Sequence, residues 1–94
     1  EQQEGQEPYK QFTGHVVFVH EDFTIHADTA QYYDKQGIVY ATGNLQMTDR
    51  EGGTMVADTV LYDTNQRVAA LRGGIIYQRD EMRFYTEELD YLVQ

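Results

Sequence analysis

Residues 43–62 read GNLQMTDREGGTMVADTVLY, and this stretch is one copy of a unit that occurs three times in the chain. Each copy begins at a glycine, and Gly14, Gly43 and Gly73 lie 29 and 30 residues apart. Each copy ends in a short signature, which reads ADTAQY at 27–32, ADTVLY at 57–62 and TEELDY at 86–91. A fixed period of this length indicates one supersecondary unit stacked on copies of itself, because a single unit cannot bury its own apolar face.

The first half of each unit has the period of a β-strand. Apolar residues recur at every second position around the glycine, as Leu45 and Met47 do after Gly43, which places them on one face of an extended chain. The glycine lies in the middle of this face, and a glycine inside a strand often marks a bend or a close backbone approach. We therefore expect these strands to bend at Gly14, Gly43 and Gly73.

The second half of each unit alternates as well, but the alternation slips by one residue within the signature. Ala27 and Ala30 are three positions apart, so they share a face only if one extra residue is absorbed by a β-bulge. The same slip occurs in the other two signatures, and we expect bulges in the returning strands near Asp28, Asp58 and residues 87–88. Bends in both strands of every unit predict an all-β fold. It consists of two facing antiparallel sheets built from bent hairpins of about 29–30 residues, with an apolar interior open at both ends.

The polar start of the chain differs from the rest. Residues 1–11 contain the single proline and show no strand period, so we expect a disordered polar leader. A secretory protein begins in this way after removal of its signal peptide, and so does a sequence cut at an arbitrary boundary. The β-repeat domain covers residues 12–94, with repeats near 14–42, 43–72 and 73–94, of which the last is incomplete.

Charge and composition exclude several classes of function. The net charge is −9 with only seven Lys and Arg residues, whereas nucleic-acid binding requires a basic surface. The chain contains no cysteine, which excludes disulfides and cysteine-ligated metals. No apolar run is long enough to span a membrane.

The sequence gives only weak evidence for catalytic or metal-binding residues. His15, His20 and His26 are close in sequence, but strand alternation does not bring three of them together, and a histidine beside a turn is usually solvated. The acidic residue of each signature, such as Asp58, is better explained by turn and bulge chemistry, in which a carboxylate accepts backbone N–H bonds. The chain has no serine nucleophile and no glycine-rich phosphate loop. We therefore predict that the protein is not an enzyme and has no cofactor or metal.

The order and spacing of these motifs resemble a known family. The matching segments are Gly-x-Val-x-Phe at 14–18, Ala-Asp-Thr-Ala-x-Tyr at 27–32, Gly-Asn-Leu-x-Met at 43–47, Ala-Asp-Thr-Val-x-Tyr-Asp at 57–63, Ala-Ala-Leu-Arg-Gly at 69–73 and Phe-Tyr-Thr-Glu-Glu-Leu-Asp-Tyr at 84–91. Together they resemble the OstA-like repeat of the lipopolysaccharide-export proteins, and are most similar to its Bacteroidetes-type members. The resemblance covers about 80 residues.

This resemblance implies an OstA/LptA-like open β-jellyroll that holds the acyl chains of lipopolysaccharide in the periplasm of a Gram-negative bacterium. It also implies that the protein joins itself or other β-jellyroll proteins of the export system, sheet edge to sheet edge. The interior positions then become candidate lipid-binding residues that line a groove. They are Val16, Phe18, Ile25, Leu45, Met47, Met55, Ile75, Tyr77 and Phe84.

A structural interpretation of the same residues stays open. Apolar alternation mainly builds protein cores, so the interior could be an ordinary packed sandwich. The protein would then be a β-repeat module that assembles through its edges without lipid. Four cations, at Lys35, Arg72, Arg79 and Arg83, are the few groups that a lipid phosphate could meet.

Overall fold

The computed structural model describes residues 8–20 and 23–92 and consists of six long antiparallel strands. Each strand pairs only with its neighbours in sequence, so the sheet is a continuous meander in the order β1 to β6. No helix occurs among the described residues, and the predicted all-β antiparallel fold is confirmed. The strands are β1 (Lys10–His20), β2 (Phe23–Tyr33), β3 (Ile38–Thr48), β4 (Thr54–Asp63), β5 (Val68–Arg79) and β6 (Met82–Leu92).

Strand β1 begins two residues earlier than the predicted start of the domain at residue 12. Lys10 pairs with Tyr32 and Gln11 with Gln31 in regular antiparallel register. The Lys10 ammonium also lies 5.9 Å from the centroid of the Tyr32 ring, a distance at which the cation is attracted to the aromatic face. Of the remainder of the predicted leader, residues 1–7 lie outside the described residues.

The bends and the bulges coincide in one row that crosses the sheet. The register shifts between Thr13 and Val16 in β1, and equivalent shifts flank Gly43 in β3 and Gly73 in β5. At each shift the extra residue belongs to the glycine strand, where two successive residues have positive φ. The expectation of bulges within the returning strands was therefore wrong, because β2, β4 and β6 pass this row without an added residue.

The position of Asp28 explains why the apolar alternation slips within the signature although the bulge lies in the neighbouring strand. The carboxylate lies directly over Gly43, and a Cβ atom added to Gly43 would be 2.7 Å from the Cβ of Asp28. The Asn44 amide donates a hydrogen bond of 2.9 Å to Asp28 Oδ2. In the last hairpin Glu87 Oε1 similarly accepts the backbone N–H of Gly74 at 3.1 Å. The acidic residue therefore caps the bulge of the neighbouring strand.

The sheet folds over along the bulge row, so the two predicted sheets are the two halves of one hydrogen-bonded sheet. Tyr62 lies at the end of β4, yet its ring is 4.7 Å from that of Phe23, which begins β2 on the opposite half. Strands β2 and β4 are not hydrogen-bonded neighbours, so this contact crosses the interior. The side chains of the core come from both halves. They are Phe23, Ile25, Ala27, Ala30, Val39, Ala41, Leu45, Met47, Met55, Val60, Tyr62, Ala69, Leu71 and Ile75.

Candidate functional site

The predicted groove residues fall into a central group and a peripheral group. The central group consists of five side chains, each no more than 2% exposed: Ile25, Leu45, Met47, Met55 and Ile75. They form part of one contiguous apolar cluster. Side chains of this kind are packed at the density of an organic crystal, so a ligand reaches them only if the two sheet halves separate.

The other four predicted residues lie towards the two ends of the interior. Val16 and Phe18 of β1, and Tyr77 of β5, are partly buried and pack against the core cluster. Phe84 of β6 is 55% exposed. The structure therefore brings together the five central residues and separates the peripheral ones into two groups, on opposite edges of the sheet.

The first group borders an apolar cavity of about 320 Å³ beside β1, here called the β1 mouth. This volume lies at the lower end of the range for small-molecule sites. Strand alternation predicts that Phe12 shares a face with Val16 and Phe18, so its place in the lining could have been inferred from the sequence. The lining consists of Phe12, Val16, Val17, Phe18, His20, Ala30, Tyr32, Val39 and Thr64.

The second group borders a cavity of about 360 Å³ beside β6, here called the β6 mouth. It is lined by Tyr77, Phe84, Thr86, Leu89 and Tyr91. The rings of Tyr77 and Phe84 stack with a centroid distance of 6.0 Å. Phe84 and Phe12 are thus exposed aromatic side chains at opposite ends of the interior, each on an edge strand.

At each mouth a tyrosine takes part in a hydrogen bond between strands that are not neighbours. Tyr62 of β4 lies 3.0 Å from Nδ1 of His20 at the end of β1. Tyr91 of β6 donates to Oδ2 of Asp49, just after β3, at 3.3 Å. We call these two contacts the tyrosine clasps. The recurring tyrosine is visible in the sequence, but its partner is not, because that partner lies three strands away.

The second clasp contains a buried carboxylate. Asp49 is 7% exposed, and its Oδ1 accepts the backbone N–H groups of Gly53 at 2.7 Å and Glu51 at 3.0 Å. These bonds satisfy a charge that would be costly to bury unpaired. Burial, and after it the nearby charge and hydrogen bond of Asp49, raise the pKa of Tyr91 to about 12. The phenol therefore stays neutral and able to donate at any physiological pH.

Three of the four cations that could meet a lipid phosphate already have protein partners. Arg72 pairs with Asp90 at 3.1 Å, and Arg79 pairs with Glu51 at 2.9 Å. The attraction of Glu51 is the main cause that raises the pKa of Arg79. Arg83 donates to the amide oxygen of Gln78 at 3.0 Å. The β6 mouth therefore offers a ligand apolar surface more than unpaired positive charge.

Residues 8–20 and 23–92 contain no cluster of three or more His, Cys, Asp or Glu side chains arranged to hold a metal ion. These residues also form no helix long and apolar enough to cross a membrane.

Comparison with known proteins gives one result. Neither the curated proteins nor the solved structures include a match to the chain. The family model described as OstA-like protein matches residues 1–93. Its match spans nearly the whole sequence, and the all-β meander with its repeated bent hairpins is consistent with the β-jellyroll of that family. The chain belongs to the OstA-like protein family.

Proposed function

We propose that this protein is a lipopolysaccharide-binding component of outer-membrane assembly, in the periplasm of a Gram-negative bacterium, and that its β-jellyroll holds acyl chains. The observation that carries the proposal is the pair of apolar mouths, each bordered by an exposed phenylalanine on an edge strand. Membership of a transport-type β-repeat family supports it. No chemical step is involved, since carriage needs only a reversible apolar site.

In this proposal the acyl chain first contacts the peripheral residues Val16, Phe18, Tyr77 and Phe84. Each buried methylene contributes about 0.8 kcal/mol, so a few carbons within one mouth already give measurable affinity. Deeper insertion requires the chain to replace contacts among the central residues. Met47 and Met55 suit that exchange, because their flexible side chains adapt to irregular apolar partners.

The partners are proposed to join at the sheet edges. Strands β1 and β6 form the two edges of the sheet, and an unpaired strand edge is a template for another chain. The occupant of an edge would be a second copy of this protein or another β-jellyroll protein of the export system. A shared edge would also bring the apolar mouths of the two molecules together.

Charge substitutions at the mouths test the carrier proposal. We expect Phe12→Asp and Phe84→Asp, combined in one chain, to weaken binding of purified lipid A at least tenfold, because they place unpaired carboxylates in apolar surroundings. Leu61→Asp is the matched control, since Leu61 is 41% exposed on β4 and lines neither mouth. Binding would be measured by isothermal titration calorimetry, because the chain has no tryptophan whose fluorescence could report it. Equal binding by the double variant and the parent would contradict the proposal.

One observation favours a structural module as the second candidate. The five central side chains are almost completely buried, as in a sandwich that carries nothing. Under this alternative the protein assembles through its edges and binds no lipid. Native mass spectrometry separates the two candidates, because the carrier retains lipid A and the module shows only protein oligomers.

A further inference from the structure

The two tyrosine clasps are built in the same way. Each joins residues 42 positions apart. His20 and Asp49 both stand six positions after the bulge glycine of their repeat, and Tyr62 and Tyr91 both end a signature. In each case the tyrosine lies three strands further along the sheet, as β4 does from β1 and β6 from β3. The clasp is therefore a property of the repeat and recurs with its period.

In the third repeat, Arg79 takes the place that His20 and Asp49 have in the first two, since it stands six positions after Gly73. A tyrosine for Arg79 would have to come from the second strand beyond β6, and the described residues contain no such strand. Within its own chain Arg79 contacts Glu51 at 2.9 Å and Asp80 at 3.9 Å, and it also interacts with the phenol of Tyr77 on the same strand. At the other end of the sheet, Tyr32 ends the first signature and lines the β1 mouth. No strand three places before β2 occurs among the described residues to supply its clasp.

The two edges of the sheet are complementary when β1 of one molecule is placed beside β6 of another, in the register in which β5 pairs with β4. In that pair Met55 lies opposite Tyr77, Val56 opposite Ile76 and Val60 opposite Leu71. The equivalent pairs across the new junction are Phe84 with Phe18, Tyr85 with Val17 and Leu89 with Phe12. Phe12, Val17, Phe84 and Tyr85 are each between 47% and 67% exposed in the single chain. One register therefore covers exposed apolar side chains of both edges at once.

The negative charges of β6 favour the pairing of β6 with β1 over the pairing of two β6 strands. The end of β6 carries Glu87, Glu88 and Asp90, so two β6 strands side by side would bring carboxylates together at a cost in energy. In the head-to-tail register Glu88 and Asp90 face the uncharged Thr13 and Gln11 of the second copy. Lys10 of that copy lies opposite Tyr91, one position from Asp90.

We infer that a second copy of this chain docks its β1 on β6 in this register, and that its Tyr32 forms a third clasp with Arg79. This inference rests on the edge joining proposed above and adds to it the register and the residues that fix it. The chemistry is suitable, because the guanidinium donates and a phenol oxygen accepts. Strand β2 of the second copy then stands three strands from β5, as the two existing clasps require. The contact is heterologous, so it generates open arrays.

Disulfide trapping tests the register, because the chain has no cysteine of its own. A mixture of Val17→Cys and Tyr85→Cys proteins places the two thiols directly opposite. Val19→Cys with Tyr85→Cys is the matched control, since this pair is diagonal on the same face, and directly opposite Cβ atoms are about 4.5–5.5 Å apart against about 7–8 Å for diagonal ones. We expect the first mixture to form the mixed disulfide at least fivefold faster. Equal rates for the two mixtures would overturn the register.

Association constants from sedimentation equilibrium test the clasp. We expect Tyr32→Phe to weaken association three- to tenfold, and Tyr40→Phe, which removes a phenol from the sheet surface outside both mouths, to leave it unchanged. In an Arg79→Met background Tyr32→Phe should have no further effect, because the clasp is already lost. Association that is insensitive to Tyr32→Phe overturns the clasp while the edge joining stands. A parent protein that stays monomeric at every concentration overturns both.

Discussion

Asp28 and Gly43 form the unit from which the bend of the sheet is made. The glycine has φ of +89°, a left-handed conformation that side chains with a Cβ rarely adopt. The aspartate occupies the space that such a Cβ would need and accepts the amide of Asn44 in the same bulge. Gly73 repeats the arrangement with Asp58, whose Cβ would be 2.8 Å from an added Cβ. Each glycine is therefore required for two separate reasons, its dihedral angles and its lack of a side chain.

A matched pair of substitutions separates these two reasons. Gly14 has φ of +84° and open space around an added Cβ, so Gly14→Ala should cost only the backbone strain, about 1–2 kcal/mol. Gly43→Ala adds the collision with Asp28, and we expect its total cost to reach about 3 kcal/mol, within the range of strained core substitutions. Urea unfolding of both variants measures the difference. Equal losses would mean that Asp28 moves aside freely and does not fix the bend.

The strands themselves could be predicted from the sequence, whereas the strand that carries each bulge could not. Alternation around Gly43 and Gly73 gave the strand face, because side chains of a strand point to opposite faces in turn. The slip at Ala27 and Ala30 is real, but its cause lies in the partner strand. A sequence pattern records which faces are apolar and does not record which of two paired strands contains the extra residue. Likewise, the alternation could not distinguish central residues such as Met47 from peripheral ones such as Phe84.

Because of the clasp between β6 and the β3–β4 turn, we expect the stability of the fold to decrease at alkaline pH. The pKa of Tyr91 is raised from 10.0 to about 12, so folding favours the neutral phenol. The stabilisation is fully present below about pH 10 and is lost as the pH rises to about 12. At neutral pH we expect Tyr91→Phe to lower the free energy of unfolding by about 1 kcal/mol, the value of a typical hydrogen bond. The gap between parent and variant should then narrow or reverse between pH 10 and 12, as followed by urea unfolding at each pH. A gap that is constant across this window would show that folding does not raise the pKa of Tyr91.

The whole molecule combines a packed centre with two open apolar ends. Charge contributes little at these ends, in contrast to a site that binds its ligand through ion pairs and is sensitive to salt. Strongly anionic proteins repel anionic ligands, and this chain has a net charge of −9. Three of the cations discussed above are held by carboxylates or an amide of the chain. The proposed lipid binding must therefore draw its free energy from apolar burial, and both its chain-length dependence and its salt dependence follow from that source.

We expect affinity for single-chain amphiphiles to rise with acyl length and to respond little to salt. Two additional methylenes should contribute about 1.6 kcal/mol, or roughly fifteenfold, as long as they enter a mouth. The gain should level off once the mouth is filled, because further carbons would have to separate the central side chains. Raising the salt concentration should weaken binding less than twofold, and it should strengthen binding if repulsion by the acidic surface dominates. Calorimetric titration with a series of alkyl phosphates below their micelle concentrations measures both effects. A steep loss of affinity with salt, together with no dependence on chain length, would mean that the headgroup is the part recognised and that the mouths are not the lipid site.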